Sequence, residues 1–200
     1  MTARSARFGL GAAYLLLATP LARAWLETAM IAHMLVQIPL LVVIGVAACR
    51  LLPERWQHRA LDQAGGAVPY ALLALFASTY WMLPRALDAA LTNPLAEAAK
   101  FVSLPAFVGL PLALAWRRLS IIGRGFVWTN FSSMLAVLGW LYLVAPERVC
   151  NSYLLNQQEG VGRLMIRLAV LLFSWWLITL FVGGGSASGT NAPDRIRYSG

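Results

Sequence analysis

The chain has 200 residues (21.8 kDa), of which 60% are hydrophobic and only 12% charged, with a mean hydropathy of +0.67. Soluble domains are about half apolar and about one quarter charged, so this composition excludes one, and it equally excludes a disordered chain. Sixteen basic against eight acidic residues give a net charge of +8, but Lys and Arg collect in the cytoplasmic loops of membrane proteins, so the excess does not point to nucleic acid. Two cysteines are too few for a disulfide scaffold or a four-thiolate metal centre. What remains is an all-α, polytopic transmembrane bundle of about six spanning helices at about 20 residues each.

In chain order, the first predicted span is Phe8 to Ala24, after a basic start with Arg4 and Arg7. Residues 1–24 also read as a signal peptide ending at Ala22-Arg23-Ala24, which would leave five spans. The second span runs from Thr28 to Ala48, the third from Ala67 to Leu83, and the fourth from Ala98 to Trp116. Pro105 and Pro111 lie inside the fourth and predict kinks. The fifth is Phe126 to Ala145 and the sixth Leu164 to Val182. The transmembrane domain is thus 1–182, followed by a flexible Gly/Ser-rich tail over 183–200.

With the N-terminus inside, the cytoplasmic set is Arg4, Arg7, Arg50, Arg55, Arg59, Arg117, Arg118, Arg124, Arg195 and Arg197. Arg23, Arg85, Lys100, Arg148, Arg163 and Arg167 fall outside. The bias predicts both termini in the cytoplasm. It also leaves the outer end crowded with charge, since Glu27, Asp88, Glu97, Glu147 and Glu159 fall there as well. Spacing suggests ion pairs Arg85–Asp88 and Glu97–Lys100 at i,i+3, and a Glu159, Arg163, Arg167 series at i,i+4. These either order the loops or form an outer docking surface for a partner.

His33 is the one histidine expected inside a span, about 9 Å below the outer helix end at 1.5 Å per residue. Met30, His33 and Gln37 share a helix face, with Met34 beside them. Thioether and imidazole suit Cu(I), so a copper site built from His33, Met30, Met34 and the outer Met82 is one reading. Packing methionines and a histidine bonded to a neighbouring helix are the other. Met165 also falls at an outer helix end. A bis-histidine haem within the chain is disfavoured, because His58 falls in a cytoplasmic loop. Cys49 and Cys150 fall on opposite sides, so they should not pair, and outside labelling should reach Cys150 and miss Cys49. No nucleophile–base pair or carboxylate dyad is apparent at membrane depth, which argues against an enzyme.

Several segments together resemble the CtaG-type cytochrome c oxidase assembly proteins. Trp81, Pro84, Asp88, Ala89, Ala90 and Leu91 match that family's W-H-x-P-x-L-Y-D-A-A-L signature. Thr19-Pro20-Leu21, then His33-Met34-Leu35 with Pro39 following, are similar to its S-P-L and Q-H-M-L-L segments. Gln157, Gln158 and Met165 are similar to its D-Q-Q…M segment. Because residues 18–21 lie within the resemblance, the first helix is expected to be retained. The family's W-H histidine is Met82 here, and its later H-x-x-E-H cluster falls near Glu97, Lys100 and Phe101, where no histidine stands.

The resemblance implies a multi-pass protein of the bacterial inner membrane that assists assembly or copper supply of a haem–copper oxidase or related respiratory-chain metalloenzyme. Its partners would be the lipid bilayer and an oxidase or oxidoreductase subunit. Two alternatives stand beside it. One is a non-catalytic structural subunit of a membrane oxidoreductase complex. The other is an electron-transfer subunit binding haem or quinone.

Overall fold

The computed structural model describes residues 3–145 and 149–183. Glu147, Arg148, the Arg4 side chain and the tail beyond Gly183, with Arg195 and Arg197, lie outside the described residues. Among those described, every regular element is a helix: α1 (Ala3–Ala18), α2 (Pro20–Glu27), α3 (Met30–Arg50), α4 (Glu54–Gln63), α5 (Val68–Met82), α6 (Pro84–Thr92), α7 (Pro94–Trp116), α8 (Ile121–Val144) and α9 (Leu155–Gly183). Four of these, α3, α7, α8 and α9, are each long and apolar enough to cross a bilayer. The pairs α1–α2 and α4–α5 reach that length only together, bent by 62° and 88°, which gives up to six spans. The protein is a multi-pass helical membrane protein.

The first predicted span is not continuous. Thr19 adopts an extended backbone, its hydroxyl donates to the Leu16 carbonyl at 2.7 Å, and it accepts from the Ala22 amide at 3.3 Å. Pro20 follows at the first helical position, where its missing N–H costs nothing. Thr-Pro therefore starts a new helix at the point where a straight span was expected. The predicted loop after the second span is also a helix, α4. Gly65 and Gly66, at φ 73° and 122°, turn the chain from α4 into α5 with a backbone that L side chains resist. The last helix begins at Leu155, ahead of the predicted Leu164, so Gln157 and Gln158 are helical.

The kinks expected at Pro105 and Pro111 take a specific form, which α3 shares although none was expected there. Residues His33–Gln37 of α3 and Leu104–Gly109 of α7 are π-helical. In the first the Ile38 amide donates to the His33 carbonyl, and in the second the Leu110 amide donates to the Pro105 carbonyl, both five residues back. Pro39 and Pro111 come directly after these wide turns. A proline there cannot donate to the carbonyl four residues back and clashes with it, so the chain inserts an extra residue just upstream.

Helices α3 and α7 run in the same direction. Gln37 meets Lys100 near one end, and Gly45 meets Pro105 and Gly109 further along. One apolar core, containing Met30, Met34, Trp81, Met82, Leu104, Tyr142, Cys150 and Met165, fills the Lys100 end. A smaller one, around Cys49, Leu61, Leu75 and Leu114, fills the other.

Candidate functional site

The Lys100 end holds the polar groups that an apolar bundle must satisfy internally. Lys100 is 0% exposed. Its Nζ donates to Glu27 Oε1 at 2.9 Å and to Gln37 Oε1 at 3.1 Å, while Gln37 Nε2 donates to the same Glu27 oxygen at 3.3 Å. Three side chains from α2, α3 and α7 thus close a ring. The ammonium also lies 5.3 Å from the centroid of the Phe101 ring. Beside it Arg23 pairs with Glu97.

These partners correct the predicted local pairs. Lys100 reaches across to Glu27 rather than to Glu97, and Glu97 takes Arg23. Asp88 does not pair with Arg85: its two oxygens accept from the backbone amides of Asn151 (2.8 Å) and Ser152 (3.2 Å). Only Glu159–Arg163 forms as expected, at 3.3 Å on an exposed helix face. Desolvation is the physical reason. A buried charge needs a buried partner, and the neighbour one turn away on the same helix points elsewhere.

His33 sits on the π-turn and is fully buried. Its Nδ1 is 3.0 Å from the Tyr153 hydroxyl, and that hydroxyl donates its own proton to the Glu27 carbonyl at 3.0 Å. The hydroxyl can then only accept from the imidazole, which assigns the Nδ1–H tautomer. Nε2 is left as a buried lone pair with no partner.

Close by, two sulfurs converge on one phenol. The Tyr142 hydroxyl lies 3.8 Å from Met34 Sδ and 3.8 Å from Cys150 Sγ. Met30, Met82 and Met165 belong to the same buried core. The loop carrying Cys150 and Tyr153 is held at both ends. Asp88 accepts its amides as described, and Gln158 accepts from Val149 N at 2.8 Å while donating to the Tyr142 carbonyl at 3.3 Å. Trp81 Nε1 donates to Ser103 Oγ at 2.6 Å, tying α5 to α7, and Pro84 opens α6 at its first position. Gln157 is half-buried, while Arg85, Arg163 and Arg167 are exposed. Sequence spacing had not marked Tyr142, Tyr153 or Gln37 as partners in a network, because they meet only through the tertiary fold.

Both cysteines are free and buried, which corrects the expected outside labelling of Cys150. Burial pushes the Cys150 thiol up to about 11, the Tyr142 hydrogen bond pulling it back and the Asp88 charge adding to the rise. At pH 8 about one thiol in a thousand would then be ionised, and the thiolate is the reactive form. In folded protein a maleimide should therefore label Cys150 slowly at pH 8, with the rate climbing toward pH 11 and jumping on denaturation. Rapid labelling at pH 7 in native detergent would contradict this burial.

No cluster of three or more His, Cys, Asp or Glu with metal-binding placement exists among the described residues. The donor set that is present is soft: thioether, thiol and one bare imidazole nitrogen. His58, by contrast, lies at the other end of the bundle against Arg118, so no second axial imidazole meets His33. Compared with protein-family models, curated proteins and solved structures, the chain finds no match in any of the three. Fold and site together define a multi-pass helical membrane protein with a buried cluster of polar and sulfur-bearing side chains at one end.

Proposed function

We propose that the chain is a non-enzymatic membrane factor that assists assembly or copper supply of a haem–copper oxidase or related membrane metalloenzyme. The observation that carries this reading is the unpartnered, fully buried Nε2 of His33 in the core that also buries Met30, Met34, Met82 and Cys150. Buried polar atoms are normally satisfied, so an orphan lone pair asks for a ligand. Thioether and imidazole as donor types favour Cu(I) over harder ions. His33, Met34 and Cys150 are the residues that would hold the ion as cargo, with Met30 and Met82 as further thioethers. Tyr153 fixes the imidazole tautomer, as an outer hydrogen bond does for a metal-binding histidine.

Under this reading the site end faces outward and the Arg50, Arg55, Arg59, Arg117, Arg118 and Arg124 end faces the cytoplasm of a bacterial inner membrane. Exposed Arg85, Arg163 and Arg167 then form a basic rim for an acidic surface of the recipient oxidase subunit. A structural subunit without metal would share that rim, so metal content separates the two. Purified protein supplied with Cu(I) under reducing, anaerobic conditions should retain about one ion per chain. His33→Ala and Met34→Leu should each lower retention at least about tenfold, the equivalent of about 1.4 kcal/mol of lost ligation. Wild-type protein that holds no copper would leave the structural-subunit reading in its place.

A further inference from the structure

A second feature lies at the opposite end and is independent of the copper reading. A crevice of about 490 Å³ opens between α1 and α3, lined by Arg7, Leu10, Tyr14, Ile44, Leu51 and Leu52, among others. From Arg7 to Tyr14 on one wall and from Leu51 to Ile44 on the other it runs about 10 Å along the helices at 1.5 Å per residue. Its length is apolar. The Tyr14 hydroxyl is already spent on the Phe101 carbonyl at 3.2 Å. The one charge on its wall is Arg7, which is exposed and has no acidic partner among the described residues.

The crevice exists because α1 does not fill it. Gly11 lies on its wall, and a Cβ placed there would meet nothing within 4 Å. Most glycines elsewhere in this fold's transmembrane helices serve close helix crossings, so this one is not explained by packing. In a bilayer such a slot is not left empty, and the chemistry of its wall specifies the occupant. An aliphatic chain matches the apolar walls, and an anionic headgroup matches the unpaired guanidinium. Arg50, Arg55 and Arg59 stand exposed on the neighbouring segment and raise the local positive potential, which favours a net negative lipid over a zwitterionic one.

We infer that this crevice binds one anionic phospholipid, with an acyl chain along Leu10, Tyr14 and Ile44 and its phosphate on Arg7. Native mass spectrometry of the full chain tests it, after delipidation and titration with phosphatidylglycerol or phosphatidylcholine of identical chains. One phosphatidylglycerol should stay bound preferentially. Arg7→Gln should weaken that binding about tenfold, the usual scale for losing one charge-assisted phosphate contact. Gly11→Leu, which has room to fold, should block the chain and weaken binding of both lipids. Unchanged melting temperatures of the two variants exclude misfolding as the cause. Equal retention of both lipids by wild type would overturn the headgroup assignment. Retention unaffected by Gly11→Leu, or a copurifying protein helix in place of lipid, would overturn the site itself.

Discussion

Gly109→Ala should remove most folded protein from detergent extracts, and Gly45→Ala should do the same. A Cβ on Gly109 would stand 2.1 Å from the Val42 carbonyl oxygen and 2.8 Å from Gly45 Cα. One on Gly45 would stand 2.2 Å from the Pro105 carbonyl oxygen. The obstructing atoms are backbone on both sides, so no side chain can rotate away, and α3 and α7 must separate. Losing that crossing costs at least about 3 kcal/mol, above ordinary overpacking. Membrane helices lack a hydrophobic drive toward each other and depend on such close contacts between small residues. Gly9→Ala is the matched control: nothing lies within 4 Å of its Cβ, and it should gain up to about 1 kcal/mol from helix propensity. Thermal melts with fluorescence-detected size exclusion would measure all three. A Gly109→Ala protein that melts with wild type would sink this account of the crossing.

The crossing bears on the site because the same two helices carry Gln37 and Lys100. Gly45 lies eight residues, about 12 Å, along α3 from Gln37. The π-turn of α7 packs directly on α3 at the glycines, since Pro105 and Gly109 both belong to that turn. The helix irregularity and the glycine contact therefore act as one joint. It fixes how far apart the Glu27–Gln37–Lys100 ring must reach.

The second, fourth, fifth and sixth apolar segments were legible in the sequence, because about 20 apolar residues in a row admit few alternatives in a bilayer, whereas the third, α5, reaches spanning length only with α4 across a sharp bend. The break at Thr19-Pro20 was written there too, as a helix-start signature, but hydropathy alone runs straight across it. Pro105 and Pro111 announced kinks in α7 without saying that the irregularity would be π-helical, and the π-turn ahead of Pro39 in α3 was not foreseen. The charged partners were not legible. Sequence spacing sees only neighbours on the same helix, whereas Lys100 finds Glu27 at a separation of 73 residues. Cys150 read as a loop residue, and so as accessible. Asp88 and Gln158 fold that loop inward over Tyr142, and no local pattern encodes such a reversal. Gly45 and Gly109 were silent for a similar reason: a single glycine in an apolar helix does not reveal which helix it faces.

The largest electrostatic effect should come from Glu27. Lys100 is fully enclosed, while the Glu27 side chain keeps 16% exposure. Glu27→Leu strands a cation among apolar helices with the Gln37 oxygen as its remaining side-chain hydrogen-bond acceptor among the described residues, at a cost of about 3–5 kcal/mol. Lys100→Met should cost less. It removes the enclosed charge outright, and its partner carboxylate retains the Gln37 amide and partial access to the bilayer surface. The double variant should recover most of what Glu27→Leu alone loses, because it leaves neither charge unpaired and a buried ion pair is often no more stable than an apolar substitute. Chemical denaturation of the four proteins closes the cycle, with an expected coupling of at least about 2 kcal/mol. Additive losses would mean that Lys100 and Glu27 do not meet. Strong coupling would show that Lys100 and Glu27 form an inward-facing structural tie between α2 and α7.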